Sequence, residues 1–453
     1  MADNLKLLKN IFAELQEPLF LGDGLDTGEF HALMQPGQFV SANLQETNNS
    51  DDMAIQAALT NTLIDTCFIY KTLNGSVSQQ YADILKQAAL PYAAIPQGDL
   101  DEIAADRKWL ADNEAAYDVF EGRYQAALDA YNQASNAQSS SEDLQFLYQK
   151  LTDALNNWNS MGQKALYEQK QARVAYLSSE DPATMWMDFN NLLTFHSKSA
   201  PHLGPYVQTF LVPPVAQWSS SGTSWANYSK TINESSTYNY SSQTSWGAGG
   251  SVGWGLFSVG VSASGSSSYT YSQSDVSTVN LAFDYMRVRI VRPWLVSDIF
   301  NYRFWWWKKT FGYKLLSDGG NLGATPPVRP VGLVPFLPNY LIVVRNLNIT
   351  ANFSHNDATT IANTINGGGS FGWGPFSLSG SYSQSNTTQT THGSFDGTTI
   401  RVNQPQIIAY TGTLMPLVPN PDRTLPWQGD QAPFDPPHHM TTALKTLRRA
   451  ELV

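Results

Sequence analysis

The residues best suited to metal or nucleophile chemistry are seven histidines and one cysteine, and their spacing supplies neither. His31, His196, His202, His355 and His392 are scattered singly, while His438 and His439 are adjacent in a proline-rich tail. None falls at the short intervals that gather ligands around a zinc ion. Adjacent histidines in such a tail read as solvent-facing or interfacial. Cys67 lies in a helical pattern without motif context and reads as a small core residue. A single cysteine rules out any intrachain disulfide.

Other chemistry is equally short of partners. "GAGGSVGWG" has the glycine content of a phosphate loop. It lacks the closing Gly-Lys-Ser/Thr, and no helical pattern follows to offer backbone N–H groups to a phosphate. No Gly-x-Ser-x-Gly elbow is present. The acid pairs Asp51-Asp52 and Glu142-Asp143 stand at helix starts, where they complement the dipole. The sequence therefore predicts a non-enzymatic protein with no cofactor, no metal and no small-molecule substrate. A net charge of -11 argues against a nucleic-acid partner.

What the sequence does carry is surface chemistry. Residues 241–274 hold no charge, and their centre, "GWGLFS", returns as "GWGPFS" within Gly367–Ser385. Gly255-Leu256 and Gly374-Pro375 each place glycine first in a two-residue turn, as a type II′ hairpin requires. The first hairpin then sets Trp254 opposite Phe257, Val252 opposite Val259 and Tyr240 opposite Tyr271. Trp246 and Val261 share that apolar face. The second sets Trp373 opposite Phe376, Phe371 opposite Leu378 and Gly367 opposite Tyr382. The opposite faces are Ser, Gly, Asn, Gln and Thr. Trp254, Leu256, Phe257, Trp373 and Phe376 form the tips. Trp246, Val252, Val259, Val261, Phe371 and Leu378 form the apolar faces.

Strands that cross a bilayer need roughly 9–11 residues with one apolar face. Trp246–Trp254 and Phe257–Gly265 have that reach. Tyr238, Tyr240, Tyr269 and Tyr271, farther from the tip, make a second aromatic belt. In this the two segments, residues 235–274 and 359–386, resemble the stem hairpins of β-barrel pore-forming toxins such as the aerolysin-like and perforin-like families. The resemblance is confined to these segments, and the helical first half lies outside it. It implies a chain that forms a homo-oligomer and inserts the hairpins into a lipid membrane. The same alternation also fits a permanently packed β-sandwich core or a subunit interface, in a ring, shell or filament. An adhesin or lectin-like module on a helical stalk is a third reading.

The elements that position these segments are legible from periodicity. The expected class is α+β and multidomain, with two related sandwich-like antiparallel β units after a helical N-terminal half. Residues 1–98 read as helical, beginning with an amphipathic helix in "MADNLKLLKNIFAELQEPLF". Residues 99–200 contain a long antiparallel helical hairpin. One seam runs through Ile103, Leu110, Tyr117, Phe120, Tyr124, Ala127 and Tyr131. The other runs through Leu144, Leu147, Leu151, Ala154, Trp158, Met161 and Ala165. Residues 201–300 form β unit 1 and 339–425 form β unit 2. Between them, 301–338 hold three consecutive tryptophans and a Pro-rich link. Residues 426–453 read as an extended arm and a short basic helix. No secretory signal and no run of eighteen apolar residues appears. The expectation is synthesis in the cytoplasm, with release by a non-classical route to a target membrane.

Overall fold

The computed structural model describes residues 3–16, 19, 30–44, 49–66, 72–91, 97–136, 141–178, 182–218, 225–235, 255–263, 266–272, 274–321, 328–366, 369–427 and 432–434. The chain is α+β, with eight helices among the described residues and antiparallel, sandwich-like sheets.

The helices follow the spacing of their apolar residues. They are α1 (Asp3–Gln16), α2 (Ser50–Asn61), α3 (Val77–Gln87), α4 (Gln97–Asn136), α5 (Ser141–Ser160), α6 (Lys164–Ser178), α7 (Pro182–His196) and α8 (His355–Asn366). Asn49 caps α2 through Asp51 N and Asp52 N, and Ser76 caps α3 through Gln79 N.

The long helical hairpin differs from expectation in its second arm. That arm breaks after Ser160 and resumes at Lys164, with Gln163 at φ 47°. Met161, placed in the seam by periodicity, is instead 64 % exposed, and Ala165 is exposed too. Tyr117, Trp158 and Tyr167 form the hairpin's own small core. Asp106, buried on α4, accepts from Lys170 at 2.6 Å and from Arg173 on α6. These two bonds hold its carboxyl below the usual range against the opposing effect of burial.

The strands of the two larger sheets, in chain order, are β1 (Phe30–Phe39), β2 (Phe210–Val212), β3 (Ala226–Asn233), β4 (Phe257–Ala263), β5 (Ser266–Ser272) and β6 (Thr278–Val291). They continue with β7 (Phe336–Ala351), β8 (Ser370–Trp373), β9 (Phe376–Gln384), β10 (Thr387–His392), β11 (Ser394–Phe395), β12 (Thr399–Val402) and β13 (Gln406–Leu414). An eight-stranded sheet runs β1-β13-β7-β6. β2 and β3 share the next position along β6, β12 pairs the far stretch of β7, and β11 pairs β12. A five-stranded sheet runs β5-β4-β8-β9-β10. The two β units thus supply strands to the same two sheets. β1 comes from the region read as helical and joins the large sheet through Phe30–Leu33, opposite Ala409–Gly412.

The large sheet is covered on opposite faces at its two ends. Along β6, Val279, Leu281 and Phe283 enter one core, while Met286, Val288 and Ile290 enter another. Strand side chains alternate, so these odd and even positions point to opposite faces. The first core lies between the large sheet, the five-stranded sheet and α1. The tryptophan triplet makes a third core: Trp305 and Trp307 are fully buried, and their indole N–H groups donate to Ile299 O and Lys314 O.

Candidate functional site

Both "GWG" segments are insertions between hydrogen-bonded neighbours. β3 and β6 pair antiparallel up to Asn233 and Thr278, and Glu234 N donates to Ser277 O at 2.9 Å. Residues 234–277 leave and re-enter there. β7 and β12 pair up to Thr350 and Thr399, and Ala351 N donates to Thr398 O at 3.1 Å. Residues 352–398 leave and re-enter there. Val279 lies opposite Ala351, so all four ends stand at one end of the sheet. Residues 235–274 and 358–395 contain no Asp, Glu, Lys or Arg. Glu234, Asp275, Asp357 and Asp396 mark the bases of the two segments.

The first predicted hairpin is not the one formed. β4 is flanked by β5 on one side and β8 on the other. A strand has two edges, so no edge of Phe257–Gly260 remains for residues 251–254. Phe257 lies opposite Trp373, not Trp254, and Val259 lies opposite Phe371, not Val252. On the β4 side Tyr271 stands opposite Ser258 and Tyr269 opposite Gly260. Val261 stands opposite Ser268. Trp246, Val252, Trp254, Tyr238 and Tyr240 lie outside the described residues, as does Cys67.

The second hairpin keeps its turn. Gly374 has φ +55°, Trp373 lies opposite Phe376, and Gly374 N donates to Leu256 O at 2.7 Å. Beyond the tip a register shift sets Phe371 opposite Ser379 instead of Leu378. Tyr382 lies opposite Gln389, in the β9–β10 ladder. Residues 359–366, read as strand, belong to α8. Asp357 N donates to the Ser354 side chain at its start, and Ile361 and Ile365, four apart, are buried.

The tip residues that are described are core residues. Leu256, Trp373 and Phe376 are fully buried, Phe257 is 1 % exposed, and Phe371 and Leu378 are fully buried. Phe257 and Phe371 stack at 5.6 Å, and Phe376 meets Phe283 of the large sheet at 5.5 Å. Burial fades away from the tip: Val259 is 38 % exposed.

The polar face is also occupied near the tip. The Ser377 hydroxyl donates to Gly37 O, and the Gln406 side chain bonds both Ser377 N (2.7 Å) and Ser377 O (3.1 Å). Gln406 thus replaces a strand partner. The Gln35 amide donates to Gly255 O at 2.9 Å. A Cβ on Gly372 would stand 2.3 Å from Pro36 Cβ, so the β1 bulge and β8 touch backbone to ring.

Carboxylates clasp the segments. Asp357 accepts from Ser274 Oγ (2.9 Å) and Asp275 N (3.1 Å), tying the base of one segment to the helix of the other. Asp52, in the first turn of α2, accepts from Ser385 N, and Asn49 donates to Ser385 Oγ at 3.0 Å. Asp396 accepts from Arg401, Thr398 N and Thr399 N at the exit of the second segment, and the Arg401 bond above all holds its carboxyl well below the usual range. None of these clasps was singled out from the sequence for this role. From sequence Asp51-Asp52 read as helix-dipole acids, and the Ser354-x-x-Asp357 spacing with Ile361 and Ile365 four apart is the local signal for α8.

Among the described residues no cluster of three or more His, Cys, Asp and Glu is placed to hold a metal ion, and no helix is long and apolar enough to cross a membrane. No protein-family model, curated protein or solved structure matches the chain.

Proposed function

We propose that this protein is a non-enzymatic pore-former that assembles with copies of itself and inserts residues 234–277 and 352–398 into a lipid bilayer as β-hairpins. The observation that carries this reading is the placement of both uncharged segments between paired strands at one end of one sheet. Straightening each segment in place would prolong β3 with β6 and β7 with β12 as two adjacent hairpins. Each arm of roughly 20 residues would reach about 65 Å at 3.3 Å per residue. That exceeds the ~30 Å hydrocarbon core. Residues 235–274 and 358–395 carry no Asp, Glu, Lys or Arg that would oppose entry, and the acids Glu234, Asp275, Asp357 and Asp396 stand near the bases of the arms. Insertion has to be collective, since only a closed barrel satisfies every backbone group.

In this reading the five-stranded sheet is the stored form, and the β4–β8 ladder must break. Gly260 and Ser370 are opposite one another in it. A Gly260→Cys/Ser370→Cys chain carrying Cys67→Ser would lock the ladder on oxidation. The expected result is leakage of dye from phosphatidylcholine–phosphatidylserine vesicles, with rings on the membranes in electron micrographs, only after reduction. A second reading rests on the same burial: both faces of the tip are packed, as a permanent sandwich core would be. Regular particles without lipid, and no leakage in either redox state, would overturn the pore in favour of a structural homo-oligomer.

A further inference from the structure

We infer that helix α1 is a latch that holds both segments in their stored form, an inference that rests on the pore-forming reading for its purpose but not for its test. Leu7, Leu8, Ile11, Phe12 and Leu15 recur at helical spacing and are all fully buried. They share one core with Leu256, Phe257, Trp373 and Phe376, the described residues at the tips of both segments. Leu8 Cδ1 lies 3.8 Å from where a side chain would begin on Gly374, the turn of the second hairpin.

The polar residues of α1 reach a different place, the hinge. The Asn10 side-chain amide donates to Asn233 O at 2.8 Å and to Glu234 O at 3.2 Å. Asn233 is the last residue of β3 and Glu234 the first of the inserted segment. Glu14 pairs with Lys230 of the same strand at 2.7 Å. To prolong β3, the backbone at 233–234 must turn along the strand axis. Both carbonyls are held by Asn10 while α1 is docked. The helix thus restrains the first segment at its root, shares a core with the tip residues of both segments and approaches the turn of the second. Docking and release are exclusive: when α1 leaves, the hinge carbonyls are freed and the tip aromatics lose those core neighbours together.

The test is hydrogen exchange on the full chain in solution, read peptide by peptide. Two variants are compared with the parent: Asn10→Ala, which frees the two hinge carbonyls but keeps the apolar face of α1, and Leu8→Ala/Phe12→Ala, which loosens that face. A latch requires amides of β4, β8 and β9 to exchange about tenfold faster or more, while β6 and β7 keep their protection. Uniform acceleration through β6 and β7 would make α1 an ordinary core helix and overturn the inference, as would no change in either variant. If the double variant does not fold, Asn10→Ala alone decides by the same criterion. Vesicle leakage is measured on the same samples. Local release without leakage would keep the latch and sink the pore. Leakage by the parent, unaltered in both variants, would keep the pore and sink the latch.

Discussion

Phe257 and Trp373 stand directly opposite each other on neighbouring antiparallel strands, although each comes from a different copy of the same "GWG-x-F-S" motif. Phe257 follows its turn glycine and Trp373 precedes its own. The duplication therefore closes on itself: the exit strand of one copy pairs with the entry strand of the other. The two segments are one folding unit, and anything that loosens one exposes the other.

Trp373→Ala tests that coupling. The indole is fully buried, and removing it leaves a cavity between β4, β9 and α1. Such truncations cost about 3–5 kcal/mol. Urea denaturation should show a loss of that size. Hydrogen exchange should rise in β4 as well as in β8 and β9, since Phe257 loses the residue across from it. A loss confined to β8 and β9 would show that the copies fold independently.

Asp357→Asn probes the base of the first segment. The carboxylate accepts from a hydroxyl and a backbone N–H while 6 % exposed. Both donors meet the same oxygen, Oδ2, so an amide oxygen in its place can keep both bonds and loses only the strengthening that the charge gives them. The expected cost is about 1 kcal/mol, the difference between a charged and a neutral acceptor. Asp357→Ala should cost no less, because the two donors are left with nothing to accept from them. Equal stability of all three chains by urea denaturation would refute the clasp.

How much of this was visible beforehand depends on the range of each interaction. Helices α1, α2 and α3 were legible because their apolar spacing and caps are local. The turn at Gly374 was legible because φ > 0 is a demand of the turn itself. The partner of Phe257 was not. Alternation fixes which face a side chain takes but not which strand lies alongside, and residues 251–254 and 370–373 are both acceptable partners by pattern. Gln406 was invisible for a related reason. Its amide bonds Ser377 backbone groups in the manner of a strand, and nothing in "VNQPQII" announces that. The second helical arm reads as one helix continuing to Ala172, where the structure has two, because the apolar spacing continues through the break at Met161–Gln163.

Acid should destabilise the fold through His31. Burial above all, and then the Arg287 charge, push its imidazole down to about 4 from an ordinary 6.5. The native state therefore keeps His31 neutral down to about pH 4, whereas the unfolded chain takes up a proton near 6.5. Between those values the unfolded state binds more protons, so stability falls as pH falls through that window. Above it the contribution is fully present, and below it no further loss comes from this residue. A shift of this size corresponds to about 3 kcal/mol. Urea midpoints measured from pH 7 down to pH 4 should drop, and His31→Gln should flatten that part of the profile. An unchanged slope in the variant would assign the acid sensitivity elsewhere.

Two glycines one residue apart should respond to alanine for different reasons. At Gly374 there is room, with Leu8 Cδ1 the nearest atom at 3.8 Å, but φ is +55°. Gly374→Ala therefore meets only the left-handed backbone penalty, about 1–2 kcal/mol. At Gly372 the backbone is ordinary strand, but a Cβ would lie 2.3 Å from Pro36 Cβ and 2.6 Å from Ser258 Oγ. Relief requires β8 to move off the β1 bulge, so Gly372→Ala should cost more than Gly374→Ala. Pro36→Ala would not remove the overlap, because alanine keeps the same Cβ, whereas Pro36→Gly should restore part of the loss. Calorimetry of the two single variants and the Gly372→Ala/Pro36→Gly pair separates the cases. Equal costs at Gly372 and Gly374, with no recovery in the pair, would mean that β1 does not press on β8.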